Sequence, residues 1–449
     1  MQLFTELGSL IERRWKERSY DDRLFPEIAA EALTAIAPEK QVSPWDIIQW
    51  LFTTTQIPSQ QDLAGEFGNP PLTLYSGPRF HIDAYYWLDG TTSIHQHSFC
   101  GAFQVLAGSS LHCQYRFVPR QEINEHFLVG EMILGDVALL EQGAIKRILP
   151  GKQYIHSLFH LDRPSVSICV RTYHTVSGLP QFRYNKPFFA IDPFFKDPMT
   201  IKQIQSASLL LSMQHPDAIS MINDLLSHSD FQTAFGILDM ARNHLASNHL
   251  EKSFGLSIGE RHFQGLLETA RTRHGELVDL ILPVFDEALR QRSLVQRRGQ
   301  ITSSEHRFLL ALLLNVPDRR KVLELVGQRF PVGNPVETIT EWVAELANTK
   351  VFGSGEPNVL GISDFDEDYL FVLQCLLEGL TVDQIKKAFE DDLSEEEFQN
   401  LGTKPEDLCD SIRNSTPFKS IFVEAPVSAA AAYPEQSNIA IRSPQQPAQ

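Results

Sequence analysis

The chain opens with apolar residues at helical spacing. Leu3, Phe4, Leu7, Leu10, Ile11 and Trp15 share one face of a 3.6-residue period, and Leu24 to Ile36 and Pro44 to Phe52 repeat it, so residues 1–70 read as a helical segment. From about Leu72 the pattern shortens. Apolar runs cut by Gly, Pro and Asp predict strands over Arg79 to Trp87, Gly101 to Ala107, Cys113 to Val118, His126 to Val129, Val137 to Leu140, Ile145 to Ile148 and Val166 to Tyr173, the spacing of a β-sandwich or barrel over residues 71–180. Residues 181–198, rich in Pro, Phe and Asp, read as a connector. The helical period then returns over 199–422. Pro216-Asp217, Ser229-Asp230, Pro317-Asp318 and Asn334-Pro335 open helices there, and Thr381 with Gln384 and Ser394 with Glu397 match capping boxes. No residue pattern recurs at a fixed period, so these helices fit either a bundle or an irregular solenoid. Residues 423–449, mostly Ala, Pro, Ser and Gln, read as a disordered tail. The expected architecture is mixed and multi-domain.

Composition narrows the classes. At 449 residues the chain exceeds one ordinary core, and 43% hydrophobic with 21% charged residues are globular values. A net charge of −17 disfavours phosphate backbones and anionic lipid surfaces, so neither nucleic acid nor a membrane is an expected partner. The five cysteines, Cys100, Cys113, Cys169, Cys375 and Cys409, are far apart and form no CxxC pair, which argues against a disulfide framework or a zinc ribbon. Glu6, Glu12, Arg13 and Arg14 interrupt the first apolar residues, leaving no signal-peptide stretch. The longest apolar run, Phe308 to Leu314, is far short of the ~20 residues that span a bilayer. These readings predict a soluble, cytoplasmic protein.

Chemistry concentrates between Gly90 and Gly108, GTTSIHQHSFCGAFQVLAG. His95 and His97 are two apart, so on a strand both imidazoles point to one face. PGKQYIHSLFH, Pro150 to His160, offers His156 on another strand just after a Pro-Gly turn. Three converging imidazoles would form a facial metal site with open positions opposite. A lone HxH recurs by chance; here glycines frame it, and a Pro-Gly turn with a single histidine follows downstream. The arrangement resembles the two motifs of the cupin superfamily, a small double-stranded β-helix barrel. Within that superfamily SIHQHSFCGAFQVLAG is similar to the thiol dioxygenases, the cysteine dioxygenase and 3-mercaptopropionate dioxygenase group. The likeness runs from Arg79 to about Tyr173, with a similar helical lead-in, and leaves the rest of the chain outside it.

The resemblance implies a cupin barrel holding Fe(II), or another divalent metal, on His95, His97 and His156, with a small thiol or related molecule and O2 as reactants. Ordinary cupins carry a glutamate where this chain has Gly101 or Ala102, so no carboxylate ligand is expected. Gln104 should face the other side of its strand. Matching on Pro-x-Val-Ser places Ser167, Cys169 and Arg171 where thiol dioxygenases carry a Ser, His, Tyr row, and only the Ser survives. Arg171 and Tyr173 are the candidate catalytic residues. An inward Arg171 would need an anion, either a buried carboxylate or the substrate; otherwise it ends the strand at the solvent rim. Tyr173 continues the row as a possible proton donor or as an ordinary strand-edge tyrosine. His160 reads as a further ligand, a donor to the ligands, or a half-exposed strand-end histidine. Along Phe80 to Trp87, either His81, Asp83, Tyr85 and Trp87 or the alternate row Phe80, Ile82, Ala84 and Tyr86 faces inward. His244, His262, His274 and His306 are single helix histidines without ligand spacing. The acidic stretch Asp364 to Glu397 fits a solvated surface or a docking face for a protein partner of the helical region. The leading function is a non-haem iron oxygenase. The competing ones are a metal cupin with Lewis-acid chemistry and a non-enzymatic ligand-sensing or docking protein.

Overall fold

The computed structural model describes residues 1–63, 65, 67–88, 90, 92–173, 180–245, 257–330, 333–350, 357–363, 365–392 and 403–422. The chain divides into two compact units, Met1–Ala311 and Leu312–Gln449.

The first unit begins with helices α1 (Gln2–Glu17), α2 (Phe25–Ile36) and α3 (Pro44–Thr53), the last opened by a capping box in which Asp46 N donates to Ser43 Oγ and Ser43 N to Asp46 Oδ2. Their apolar stripes, including Phe4, Leu7, Ile11, Trp15, Phe25 and Leu33, are buried against Phe80, Ile82, Ala84, Tyr86, Ala102, Leu106, Val166, Ile168 and Val170. Phe80 stands 5.5 Å from Phe25 and 6.3 Å from Trp15, ring to ring. Each such side chain contributes on the order of 1.5–3 kcal/mol by leaving water.

Eleven strands follow among the described residues: β1 (Pro71–Ser76), β2 (Phe80–Trp87), β3 (Ile94–His95), β4 (Gly101–Ala107), β5 (Ser110–Asn124), β6 (Phe127–Leu140), β7 (Ile145–Ile148), β8 (Ile155–His160), β9 (Ser165–Thr172), β10 (Arg183–Asn185) and β11 (Phe189–Ile191). They form a five-stranded antiparallel sheet, order β1-β2-β9-β4-β7, and a ring of six, β10-β11-β6-β5-β8-β3, closed by β10 pairing with β3. Phe80, Ile82, Ala84 and Tyr86 pack under the N-terminal helices, so the open choice on β2 resolves with His81, Asp83, Tyr85 and Trp87 on the barrel side.

Two expectations are corrected here. His126 to Val129 and Val137 to Leu140 are not separate strands but the ends of β6, which pairs with β5 as one long hairpin. Gly130, Glu131, Gly135 and Asp136 break the apolar pattern between them, and the ladder shifts register at Gly135 but continues on both sides of it. Residues 181–198 are more than a connector, since β10 and β11 lie in them and complete the ring. The prolines and aspartates there mask strands only three residues long.

The helices that follow, α4 (Pro198–Ser212), α5 (Ala218–His228), α6 (Phe231–Leu245), α7 (Ile258–His274) and α8 (Ile281–Gly299), share a core with Phe127, Val129 and Phe189 of β6 and β11. Arg298, 1% exposed, donates from α8 to the carbonyl oxygens of Leu161 (2.8 Å) and His160 (3.2 Å) at the end of β8. These first helices of the helical region therefore belong to the same unit as the barrel. α9 (Ser304–Asn315) contains the run Phe308 to Leu314, all of it buried.

The second unit is helical: α10 (Arg319–Arg329), α11 (Pro335–Ala347), α12 (Glu367–Glu378), α13 (Val382–Asp392), α14 (Pro405–Asn414) and α15 (Lys419–Phe422). The starts marked by Asp318 and Asn334 are capped by those side chains, and the Thr381–Gln384 box forms in both directions. The Ser394–Glu397 box and the tail at 423–449 lie outside the described residues. No described helix is long and apolar enough to cross a membrane, and all five cysteines are free and buried.

Candidate metal centre

The period of two across β3 decides the geometry. Gln96, between the two histidines, points away and is fixed outside by donating to Pro180 O (2.7 Å) and accepting from the Tyr184 hydroxyl (2.6 Å), so His95 and His97 both face the interior. Antiparallel pairing of β3 with β8 sets His95 directly opposite His156. His97 bridges Pro150, and Gly151 N donates to His97 O at 2.7 Å. Gly151 sits at φ +66, so the Pro-Gly turn supplies both the left-handed corner and a tie between the two motifs.

One nitrogen from each of His95, His97 and His156 lies within 4.8 Å of the others, and all three side chains are buried. His97 Nε2 and His156 Nε2 are 2.9 Å apart. Two nitrogens each ~2.1 Å from one ion, at right angles to it, stand about 3 Å apart, so this spacing fits two neighbouring positions on an octahedral cation. Burial pushes all three imidazoles below the ordinary histidine value, His97 and His156 far below it, and each also feels a neighbouring cation or histidine. They are neutral at pH 7, the form that binds metal.

Outer contacts orient two of the rings. His95 Nδ1 donates to Ser93 O at 2.6 Å, leaving Nε2 as the donor for an ion. His156 Nδ1 lies 3.2 Å from His112 Nε2, which is 3.0 Å from the Tyr154 hydroxyl. Burial lowers His112 to about 4, so it too is neutral. His112 and Tyr154 are functional candidates missed in the sequence. His112 has no partner at ligand spacing, and its one signal is its parity with Ser110 on a strand that pairs with β8.

The imidazoles border a small cavity lined also by Phe67, Trp87, Phe99, Phe103, Leu158 and Arg171. It offers about 40 Å³ to the centres of water molecules, room for on the order of three waters at ~10–15 Å³ each. Arg171 points inward, its guanidinium 4.0 Å above the Phe99 ring, and among the described residues no carboxylate pairs with it. Gly101 lies directly across from it on β4. A Cβ at Gly101 would stand 1.9 Å from Val170 O, so no side chain fits where a carboxylate ligand would start.

Tyr173, read as a candidate catalytic residue, is placed elsewhere. Its hydroxyl donates to Gly77 O and contacts Ser76 Oγ, both at 2.9 Å, beside the β1–β2 turn, and its ring packs on His81. It does not line the cavity. Gln104 faces outward and donates to Glu39 Oε2 at 2.8 Å. His160 is neither half-exposed nor grouped with the three histidines. It is 2% exposed, stacked on Trp87 at 4.6 Å, with Nδ1 3.0 Å from Ser110 Oγ.

Comparison with known proteins adds little to this geometry. No protein-family model and no curated protein matches the chain. Among solved structures, a Klebsiella pneumoniae uncharacterised conserved protein with a double-stranded β-helix domain is 14% identical over 30% of this chain and 98% of its own, TM-score 0.18. A cupin-2 domain containing protein from Shewanella frigidimarina is 13% identical over 29% and 93%, TM-score 0.17. Hydroquinone 1,2-dioxygenase from Sphingomonas sp. TTNP3 is 9% identical over 27% and 85%, TM-score 0.19. Likenesses this slight decide no reaction. Strand order and pairing describe the architecture by themselves: a five-stranded antiparallel sheet and a closed barrel of six strands.

Proposed function

We infer that the barrel is a metal-dependent oxygenase site that acts on a small, anionic thiol or related molecule. The observation that carries this reading is the convergence of three neutral imidazoles on a small cavity that also receives an unpaired Arg171. His95, His97 and His156 would hold the ion. A bound Fe(II) would supply the one-electron chemistry that spin restriction denies to dioxygen and a closed-shell substrate alone. The rest falls to this chain's residues. Arg171 binds the substrate's anionic group, with the Phe99 face holding the guanidinium flat. Phe67, Trp87, Phe99 and Phe103 exclude water from the reacting end. Ser93 O and His112 fix the rings of His95 and His156 in the tautomers that leave Nε2 free.

Elemental analysis of protein purified without added metal tests the reading, followed by oxygen uptake with small mercapto acids. About one iron per chain and thiol-dependent uptake are expected, and His97→Ala should abolish both. Uptake retained in the variant would remove the proposal. Zinc, manganese or nickel without uptake would replace it with Lewis-acid chemistry.

A further inference from the structure

A second cavity adjoins the first and shares Phe67, Tyr85 and Arg171 with it. It is larger, about 150 Å³ by the same measure, and polar, lined also by Gln61, Asp62, Thr73 and Asp83. Asp62 is engaged in shaping the wall: its oxygens accept from Gly65 N (2.9 Å) and Phe67 N (3.0 Å). Asp83 differs. Its side chain is 5% exposed, Oδ2 accepts from the Tyr85 hydroxyl at 2.8 Å and lies 3.1 Å from His81 Nε2, and Oδ1 has no hydrogen-bond partner among the described residues. Arg171 Nε, in the same wall, is also buried without a partner. The strand register sets Arg171 opposite His81 and Asp83 opposite Cys169, so the two charges face one space without forming an ion pair with each other.

A buried carboxylate oxygen and a buried guanidinium N–H, both left unmet, are costly unless a ligand meets them. Burial pushes the Asp83 carboxyl up, but the hydrogen bond and charge of His81, with the bonds from Tyr85 and Thr73, outweigh it and leave the group below the ordinary carboxylate value. It is charged at neutral pH.

We propose that this second cavity seats the charged end of the substrate, a small zwitterion whose anionic group lies on Arg171 and whose ammonium group lies on Asp83 Oδ1. The proposal deepens the reading above and rests on it for the word substrate. It narrows the class from any small acid to one that carries an amine kept away from the three histidines, with the remaining apolar part reaching the smaller chamber. A plain carboxylic acid would leave Asp83 Oδ1 unmet, and a plain amine would leave Arg171 unmet, so each should bind more weakly than a molecule with both.

Three probes of one size separate these cases: β-alanine, propionate and n-propylammonium, titrated calorimetrically into the full chain as purified and after chelation of metal. β-Alanine should bind at least about tenfold more tightly than propionate. Asp83→Asn should erase that advantage and leave propionate within about twofold, whereas a loss of n-propylammonium binding alone in Arg171→Gln would contradict the assignment of charges. Equal affinity of the wild-type chain for β-alanine and propionate would overturn the proposal, and this ratio needs no variant if Asp83→Asn fails to fold. Zwitterion preference in a chain that binds no metal would remove the oxygenase reading and keep this site. Metal and oxygen uptake without the preference would do the reverse.

Discussion

The two faces of β2 follow opposite rules. Phe80, Ile82, Ala84 and Tyr86 look toward the N-terminal helices, where even the Tyr86 hydroxyl is satisfied by Pro44 O at 2.6 Å. One residue along, His81, Asp83, Tyr85 and Trp87 look into the barrel, where Asp83 Oδ1, His81 Nδ1 and, from β9, Arg171 Nε lack hydrogen bonds among the described residues. All eight positions of β2 are buried or nearly so, so burial alone does not separate the faces; unmet polar atoms do. The face that keeps its polar groups unpaired is the one prepared for a ligand.

Substitutions on either side should break this contrast in different ways. Gly101→Ala should have the largest effect, because the added carbon meets Val170 O of the neighbouring strand rather than a side chain that can yield. Little or no folded protein is expected, read as loss of the cooperative thermal transition. Phe80→Ala, on the helix side, should cost about 3–5 kcal/mol in denaturant unfolding through the cavity it leaves, while the folded fraction keeps its metal stoichiometry. If Phe80→Ala also emptied the metal site, the two faces would not be independent.

Acid should act on the inner face through His160. Burial, helped by the Arg298 charge, lowers His160 to about 3, against ~6.5 in the unfolded chain. Above 6.5 the ring is neutral in both states and the residue adds no pH dependence. Below 6.5 only the unfolded chain takes up the proton, so this residue alone should remove up to about 1.4 kcal/mol of stability per pH unit until about 3 is reached. His160→Phe should flatten that part of the profile in urea melts run from pH 7 to 4. Tyr173→Phe should do least: about 1 kcal/mol from the lost contacts near the turn, with oxygen uptake unchanged. A large loss of uptake would return Tyr173 to the chemistry.

What could be read beforehand follows the same division. The HxH pair was legible because a period of two needs no tertiary information, and the Pro-Gly turn marked the strand bearing His156. His112, Tyr154 and the carboxylate of Asp83 were not, because each matters only through strands distant in sequence. The orientation of β2 was undecidable from pattern alone, since a polar row normally faces water and here faces a cavity. β10 and β11 escaped notice because three residues show no alternation.

The ring pairing of Arg183 and Tyr184 with His95 and Ile94 bears on how a minimal barrel should be cut. A fragment ending at residue 180 would strip the histidine-bearing strand of its neighbour and release the Tyr184 clasp on Gln96. Any excised version has to run through Ile191 at least, so that the last stretch of barrel travels with the histidines it steadies.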